Sequence, residues 1–239
     1  MNIGTIIRTL LSRFLLFIVM VLCVPFILFA LCVPIKWLHE QKPFFYFADL
    51  FYRVMIRISF INFNFVGREN VPDAPVIFAA NHSSSFDIPL VGILAKGKPH
   101  LWLAKSELMD SPILRFVLPH FAILVDMSSP LKGMRSLLQA INWVNGHDRS
   151  LMIFPEGGRF TDDYVHDFYG GFVILAKKTG LPIVPVYIDG LNKVYPPNTF
   201  WVQNYPVKVV IGEPMKPHEN EEDEAFKDRV YQWFLKQQG

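Results

Sequence analysis

A run of 22 residues, Phe14 to Ile35, carries no charge, and no other feature narrows so far what this chain can fold into. As a helix it is about 33 Å long, enough for the roughly 30 Å hydrocarbon core of a bilayer. Arg8 and Arg13 precede it and Lys36 follows, so basic residues flank both ends and set no orientation. The run exceeds the apolar stretch of about 7 to 15 residues in a secretory signal, and no small-x-small cleavage site follows. A retained membrane segment is therefore expected. Pro25, near its middle, removes one helical hydrogen bond, which leaves a kinked span and a re-entrant hairpin both open. Composition points the same way: hydrophobic residues make up 51% of the 239 and charged residues 18%, which excludes a disordered chain. The two cysteines, Cys23 and Cys32, lie inside the apolar run, which excludes a disulfide scaffold and a cysteine metal site.

Residues 1 to 70 hold seven Lys/Arg against three acids within a net charge of +2. That bias suits an anionic membrane surface, at about 1 kcal/mol per well-placed cation. No basic stripe exists of the kind nucleic acid requires, so no nucleic-acid partner is expected. Residues 44–65 place Arg53 and Arg57 one turn apart among aromatics, the pattern of an interfacial helix, with a core helix of the globular domain as the alternative.

From Val71 onward short apolar runs bounded by Pro, Gly, Asn and Asp alternate with helical stretches, which is an α/β pattern. Strands are expected at Val76–Ala80, Leu101–Ala104, Ala122–Val125, Leu151–Phe154, Ile183–Ile188 and Val207–Ile211. Helices are expected at about Ile88–Ala95, Ser111–Leu118, Lys132–Asn145, Gly171–Thr179 and Asp223–Gln238. Nearly continuous apolar strands imply a sheet covered on both faces.

The first of these strands runs into Asn81-His82-Ser83-Ser84-Ser85-Phe86-Asp87. A turn through three serines can fold the Asp87 carboxylate back onto the His82 imidazole, fixing its tautomer while the far nitrogen removes a proton. The bland alternative is an N-cap for the next helix beside a satisfied loop histidine. Spacing alone does not decide, because His218 and Asp223 repeat it inside an acidic stretch that reads as solvated. A second cluster does more. The strand ending at Phe154 leads into Pro155-Glu156-Gly157-Gly158-Arg159, an acid, two permissive glycines and a guanidinium in one loop. Glycines let a ligand approach backbone N–H groups, and arginine offers a planar fork to phosphate or carboxylate. A serine hydrolase is disfavoured by the lack of a Gly-x-Ser-x-Gly elbow, and zinc catalysis by the lack of His-Glu-x-x-His. The isolated His100, His120 and His147 read as structural.

Asn81-His82 with Asp87, then Phe154-Pro155-Glu156-Gly157-x-Arg159, then Ile183-Val184-Pro185-Val186 resembles the glycerolipid acyltransferase family, whose familiar members are the 1-acyl-glycerol-3-phosphate acyltransferases. The resemblance covers about residues 65–215. It implies a mixed sheet covered by helices on an N-terminal membrane-embedded helical segment, with residues 1–65 as anchor and interfacial helices and 66–239 as the acyltransferase domain. It also implies transfer of a fatty acyl group from acyl-CoA or acyl carrier protein to a hydroxyl of a lysolipid, at a membrane and facing the cytoplasm. His82 is then the general base and Asp87 its partner, Glu156, Gly157, Gly158 and Arg159 bind the acceptor, and Pro185 supports the site from its strand. A thioester is already activated, so the chemistry calls for a deprotonated hydroxyl and a held oxyanion and for no metal or cofactor. The runner-up readings are a different lipid alcohol as acceptor and a non-catalytic lipid-binding protein with this fold.

Three departures from the family pattern bear on the acceptor. Met127 follows Asp126 where relatives place Arg, Gly158 replaces Thr, and Phe168-Tyr169-Gly170-Gly171 stands for Phe-Lys-x-Gly. Two of them remove a cation. The expectation from sequence is a less cationic pocket that takes a phosphodiester or neutral lysolipid at least as well as lysophosphatidate, unless Lys105 compensates.

Overall fold

The computed structural model describes residues 2–196 and 199–238. An N-terminal helix α1 (Ile3–Cys32) is followed by one turn, α2 (Ile35–Leu38), and a helix α3 (Lys42–Ile58). Then come β1 (Phe63–Val66), β2 (Ile77–Ala80), α4 (Asp87–Gly92), β3 (His100–Lys105), α5 (Pro112–Val117), β4 (Ala122–Val125), α6 (Pro130–Val144) and β5 (Ser150–Ile153). The chain closes with α7 (Gly171–Thr179), β6 (Ile183–Asp189), α8 (Leu191–Val194), β7 (Val207–Ile211) and α9 (Asp223–Gln238). The seven strands form one sheet in the order β1-β7-β6-β2-β5-β3-β4, parallel except for the β6–β7 pair.

The pleat sorts the strand residues into two cores. Phe78 and Ala80 face one side with Leu90, Val91 and Leu94 of the α4 region, while Ile77 and Ala79 face the other with α6, α7 and α9. A sheet covered on both faces is what the continuous apolar strands require. The parallel strands β2, β3 and β5 end on the same edge, where the turns after them converge.

α1 is continuous through Pro25, so the apolar run is neither broken nor folded back on itself. Its polarity is inverted relative to a soluble helix. The residues it buries are Thr5, Thr9, Ser12, Cys23 and Ala30, while Ile7, Phe14, Phe17 and Leu22 are exposed. Thr9 Oγ1 donates to Thr5 O at 2.7 Å and accepts the Val202 N–H at 3.0 Å, so the polar stripe docks on the domain. Only 11% of the most apolar window of α1 is buried; by length and composition it can cross a membrane.

The stretch read as one interfacial helix over 44–65 divides. α3 ends at Ile58, Phe60 takes a left-handed φ of 54°, and Phe63–Val66 becomes the edge strand β1 beside β7. A left-handed residue just past a helix stops it and redirects the chain. One face of α3 packs on the domain, burying Phe44, Phe45 and Tyr52, while Tyr46 and Leu50 are exposed.

Candidate active site

His82 sits in the turn between β2 and α4, and Asp87 is the first residue of α4. The turn is held from both sides. Asn81 Nδ2 donates to Ile188 O and Asn81 Oδ1 accepts the Ile188 N–H, tying the end of β2 to β6. Asp87 is fully buried, and its Oδ2 accepts from Ser83 N (2.7 Å), Ser84 N (2.8 Å) and His82 Nδ1 (2.7 Å). The serines at 83 and 84 thus act through their backbone: they bend the chain so that the carboxylate meets the imidazole. With Nδ1–H committed to Asp87, Nε2 is the ring nitrogen left to take a proton. The His82 ring lies flat on Phe154, with centroids 3.9 Å apart and planes 11° from parallel. Phe154 in turn stacks on Trp102 at 5.3 Å.

His218, by contrast, is exposed and lies 4.0 Å from Glu221, while Asp223 pairs with Lys177. Equal spacing gives a dyad only where strand, turn and helix fold it.

The glycine loop divides its work. Glu156, which the resemblance places in the acceptor-binding loop, ties two backbone segments together. It is buried, and its two oxygens accept the backbone N–H groups of His82 and His166, each at 2.9 Å. Burial pushes its carboxyl up, opposed by those two N–H donors. Gly157 is required twice over: its φ is 62°, and a Cβ there would lie 2.6 Å from Tyr169 Cε2. Among the described residues Gly157 N–H donates to Phe154 O at 3.0 Å, and Gly158 N–H has no intramolecular acceptor.

His82, Gly157, Gly158, Arg159 and Lys105 all line one cavity of about 690 Å³. Its far walls are apolar: Met20, Phe26 and Ile27 of α1, Phe47 and Phe51 of α3, and Trp102 of β3. Arg159 and Lys105 are exposed, and among the described residues neither has an ion-pair partner. Met127 and Tyr169, the positions where cations were missed, are not among the residues lining it. An imidazole held by a buried carboxylate, an apolar chamber and two cations without ion-pair partners among the described residues therefore share one space.

Residues 62–189 match the Acyltransferase family model. The chain belongs to the acyltransferase family. Among sequence relatives, a 1-acyl-sn-glycerol-3-phosphate acyltransferase of Limnanthes douglasii is 34% identical over 135 residues, 56% of this chain and 47% of that protein. One of Saccharomyces cerevisiae is 31% identical over 154 residues, 63% of this chain and 50% of that protein. The chain spans about half the length of these relatives. The crystal structure of the 1-acyl-sn-glycerophosphate (LPA) acyltransferase PlsC from Thermotoga maritima superposes with a TM-score of 0.75 at 24% identity, covering 98% of this chain and 96% of that one. The family fold thus extends over α1 and α3 as well as the sheet. The resemblance drawn from three short motifs is the family to which the chain belongs.

Sequence reasoning missed Phe154, Trp102 and Tyr52 as parts of the site's frame. Phe154 carried a signal, since an aromatic ending a strand next to a reactive loop is placed to pack on what that loop displays. Tyr52 carried none, because its partners are about 50 residues away.

Proposed function

We propose that this protein transfers a fatty acyl group from a thioester donor to the free hydroxyl of a lysophospholipid, with 1-acyl-glycerol-3-phosphate as the acceptor the site suits best. The observation that carries the reading is the His82–Asp87 dyad opening on an apolar cavity whose rim holds Lys105 and Arg159. The names of the relatives support the same acceptor. The departures at Met127 and Tyr169 argued for a less cationic pocket, but neither residue lines the cavity, so two cations remain for a phosphate monoester.

In this reading His82 Nε2 removes the hydroxyl proton as the oxygen attacks the thioester carbonyl. Asp87 keeps Nδ1–H fixed and balances the imidazolium that forms. The Gly158 N–H is the donor offered to the tetrahedral oxyanion. The intermediate then collapses, the C–S bond breaks, and the leaving thiolate takes the proton back from the imidazolium. The apolar chamber takes the acyl chain, and burial of each methylene contributes about 0.8 kcal/mol to holding it.

The inverted polarity of α1 supports a membrane location, with its outward apolar face in lipid and its threonine stripe on the domain. Acyl-CoA and acyl carrier protein both fit as donors, and a cytoplasm-facing site goes with either.

The test is a screen of purified, detergent-solubilised protein with labelled acyl donors against lysophosphatidate, lysophosphodiesters and neutral lipid alcohols. The reading requires transfer to lysophosphatidate that His82→Ala abolishes. Absence of transfer to any lysolipid under conditions where the protein is folded would sink it.

A further inference from the structure

Beneath the His82–Phe154–Trp102 stack lies a buried polar chain that passes through Tyr52 of α3 and ends on the Lys98 carbonyl. Trp102 Nε1–H donates to the Tyr52 hydroxyl at 3.2 Å, the Tyr52 O–H donates to His100 Nε2 at 3.2 Å, and His100 Nδ1–H donates to Lys98 O at 2.8 Å. Each group uses its one donor in the same direction, so the chain is fully satisfied only as a unit. Tyr52 is buried, and burial raises its hydroxyl to about 12, so it remains a donor throughout the working range. Burial pushes the His100 imidazole down, so its Nε2 remains an acceptor.

Tyr52 also meets the other arm of the dyad. Its ring lies so close to Gly92 that a Cβ there would sit 2.4 Å from Tyr52 Cε2. Gly92 ends α4, the helix that Asp87 begins. One side chain from α3 therefore braces the helix carrying Asp87 and, through Trp102 and Phe154, the ring on which His82 lies.

We infer that Tyr52 is a positioning residue for His82: it fixes the Trp102 indole, and through the Trp102–Phe154–His82 stack it sets the tilt of the imidazole used in the proposed acyl transfer. The inference rests on His82 acting as the base, and it makes the placement of a membrane-proximal helix a determinant of the chemical step.

Tyr52→Phe keeps the ring against Gly92 and in the cavity wall but orphans both the Trp102 N–H and His100 Nε2. The expected result is a loss of about 10- to 100-fold in kcat with KM for donor and acceptor within about twofold, since small misplacements of a reacting group cost rate more than binding. A Val230→Ala variant, in the core under α9, serves as the control for stability: it should lower the unfolding temperature without changing kcat per folded molecule. An activity-independent readout is the ring-current-sensitive NMR signal of the His82 imidazole in the micelle-bound full chain, assigned by its loss in His82→Gln. It should move in Tyr52→Phe and stay in Val230→Ala. An unmoved His82 signal, or an unchanged kcat per folded Tyr52→Phe molecule, overturns the positioning role. Failure of the base assignment shows separately, as turnover that survives His82→Ala.

Discussion

The Nδ1 of His82 and the Oδ2 of Asp87 are 2.7 Å apart, and the carboxylate that closes this contact is inaccessible to solvent. Among the described residues lining the cavity, His82 supplies the one imidazole. His82→Ala should lower kcat by about 100- to 10,000-fold, the range for a lost general base, with donor affinity little changed. Asp87→Asn should fall in the same range because the charge facing the imidazolium is gone. His218→Ala should be neutral. Steady-state kinetics on the three variants check this, and comparable losses at His82 and His218 would contradict the assignment.

Glu156→Gln tests a brace. An amide can accept one backbone N–H, but its NH2 group then faces the other, so one of the two loops loses its tie. Destabilisation on the order of 2 kcal/mol is expected for a buried donor left unpaired. Turnover should fall while acceptor KM holds, and a selective rise in acceptor KM would restore the ligand-binding role.

Lys105→Ala and Arg159→Ala probe the rim. Each cation is solvent-exposed, so each should raise the KM for lysophosphatidate by only about three- to tenfold. Neither should alter slow hydrolysis of the donor. Met127→Arg with Tyr169→Lys should change acceptor preference less than loss of Lys105 or Arg159 does, because neither position lines the cavity, although the Tyr169 ring packs on Gly157 at its edge. A shift toward the phosphate monoester in that double variant would show that these side chains reach the acceptor.

α1, long and apolar enough to cross a membrane, is also a wall of the cavity: Met20, Cys23, Phe26 and Ile27 line it. Deleting residues 1 to 38 should therefore abolish turnover on every acceptor, which makes point changes the better probe. Phe17→Glu with Leu22→Glu alters two outward positions, 67% and 70% exposed. Vesicle retention under salt wash should drop, and turnover on vesicle-borne acceptor should fall further than turnover on a dispersed short-chain one. Thr9→Val should instead cost about 1 to 3 kcal/mol of stability by orphaning the Val202 N–H.

Two imidazoles give the fold a pH dependence. His39 accepts from the Trp143 indole and donates to His120 O, and His100 is buried beside Tyr52. Burial lowers both from 6.5. A base whose folded value lies below its unfolded one binds its proton more readily when unfolded. Their contribution is thus complete above about 6.5 and declines as pH falls below it, by up to about 1.4 kcal/mol per pH unit for each group. Glu156, raised by burial, works in the opposite sense as the carboxylate range is approached. Thermal unfolding between about pH 8 and pH 5 should show a steeper decline in the unmodified chain than in His39→Gln, and parallel curves would remove His39 from the slope.

The strands were legible because buried parallel strands read as continuous apolar runs, as in the neighbours β2 and β5, which are buried throughout. The edge strand β1 was not. Its alternation of half-buried and exposed residues continues the aromatic texture of α3, and only the left-handed Phe60 separates them. His82 and Asp87 were legible because their contact is local, five residues apart. The work of Glu156 was hidden for the opposite reason: its partners are backbone groups, which any residue supplies. The same holds for Tyr52, whose hydroxyl serves groups on a strand about 50 residues on.

Glu156 joins the turn bearing His82 to the loop bearing His166, and the Phe160 N–H adds a third tie by donating to His82 O at 2.8 Å. Segments sewn together in this way do not swing apart to admit a bulky guest. The opposite side of the chamber is made of α1 and α3, two helices with exposed apolar side chains on their outer faces. Under the acyl transfer proposed above, a lipid would enter on the α1–α3 side rather than through the tied loops. That proposed transfer would then depend on how stiff or fluid a bilayer around α1 is, with every residue of the His82–Asp87 turn left unchanged.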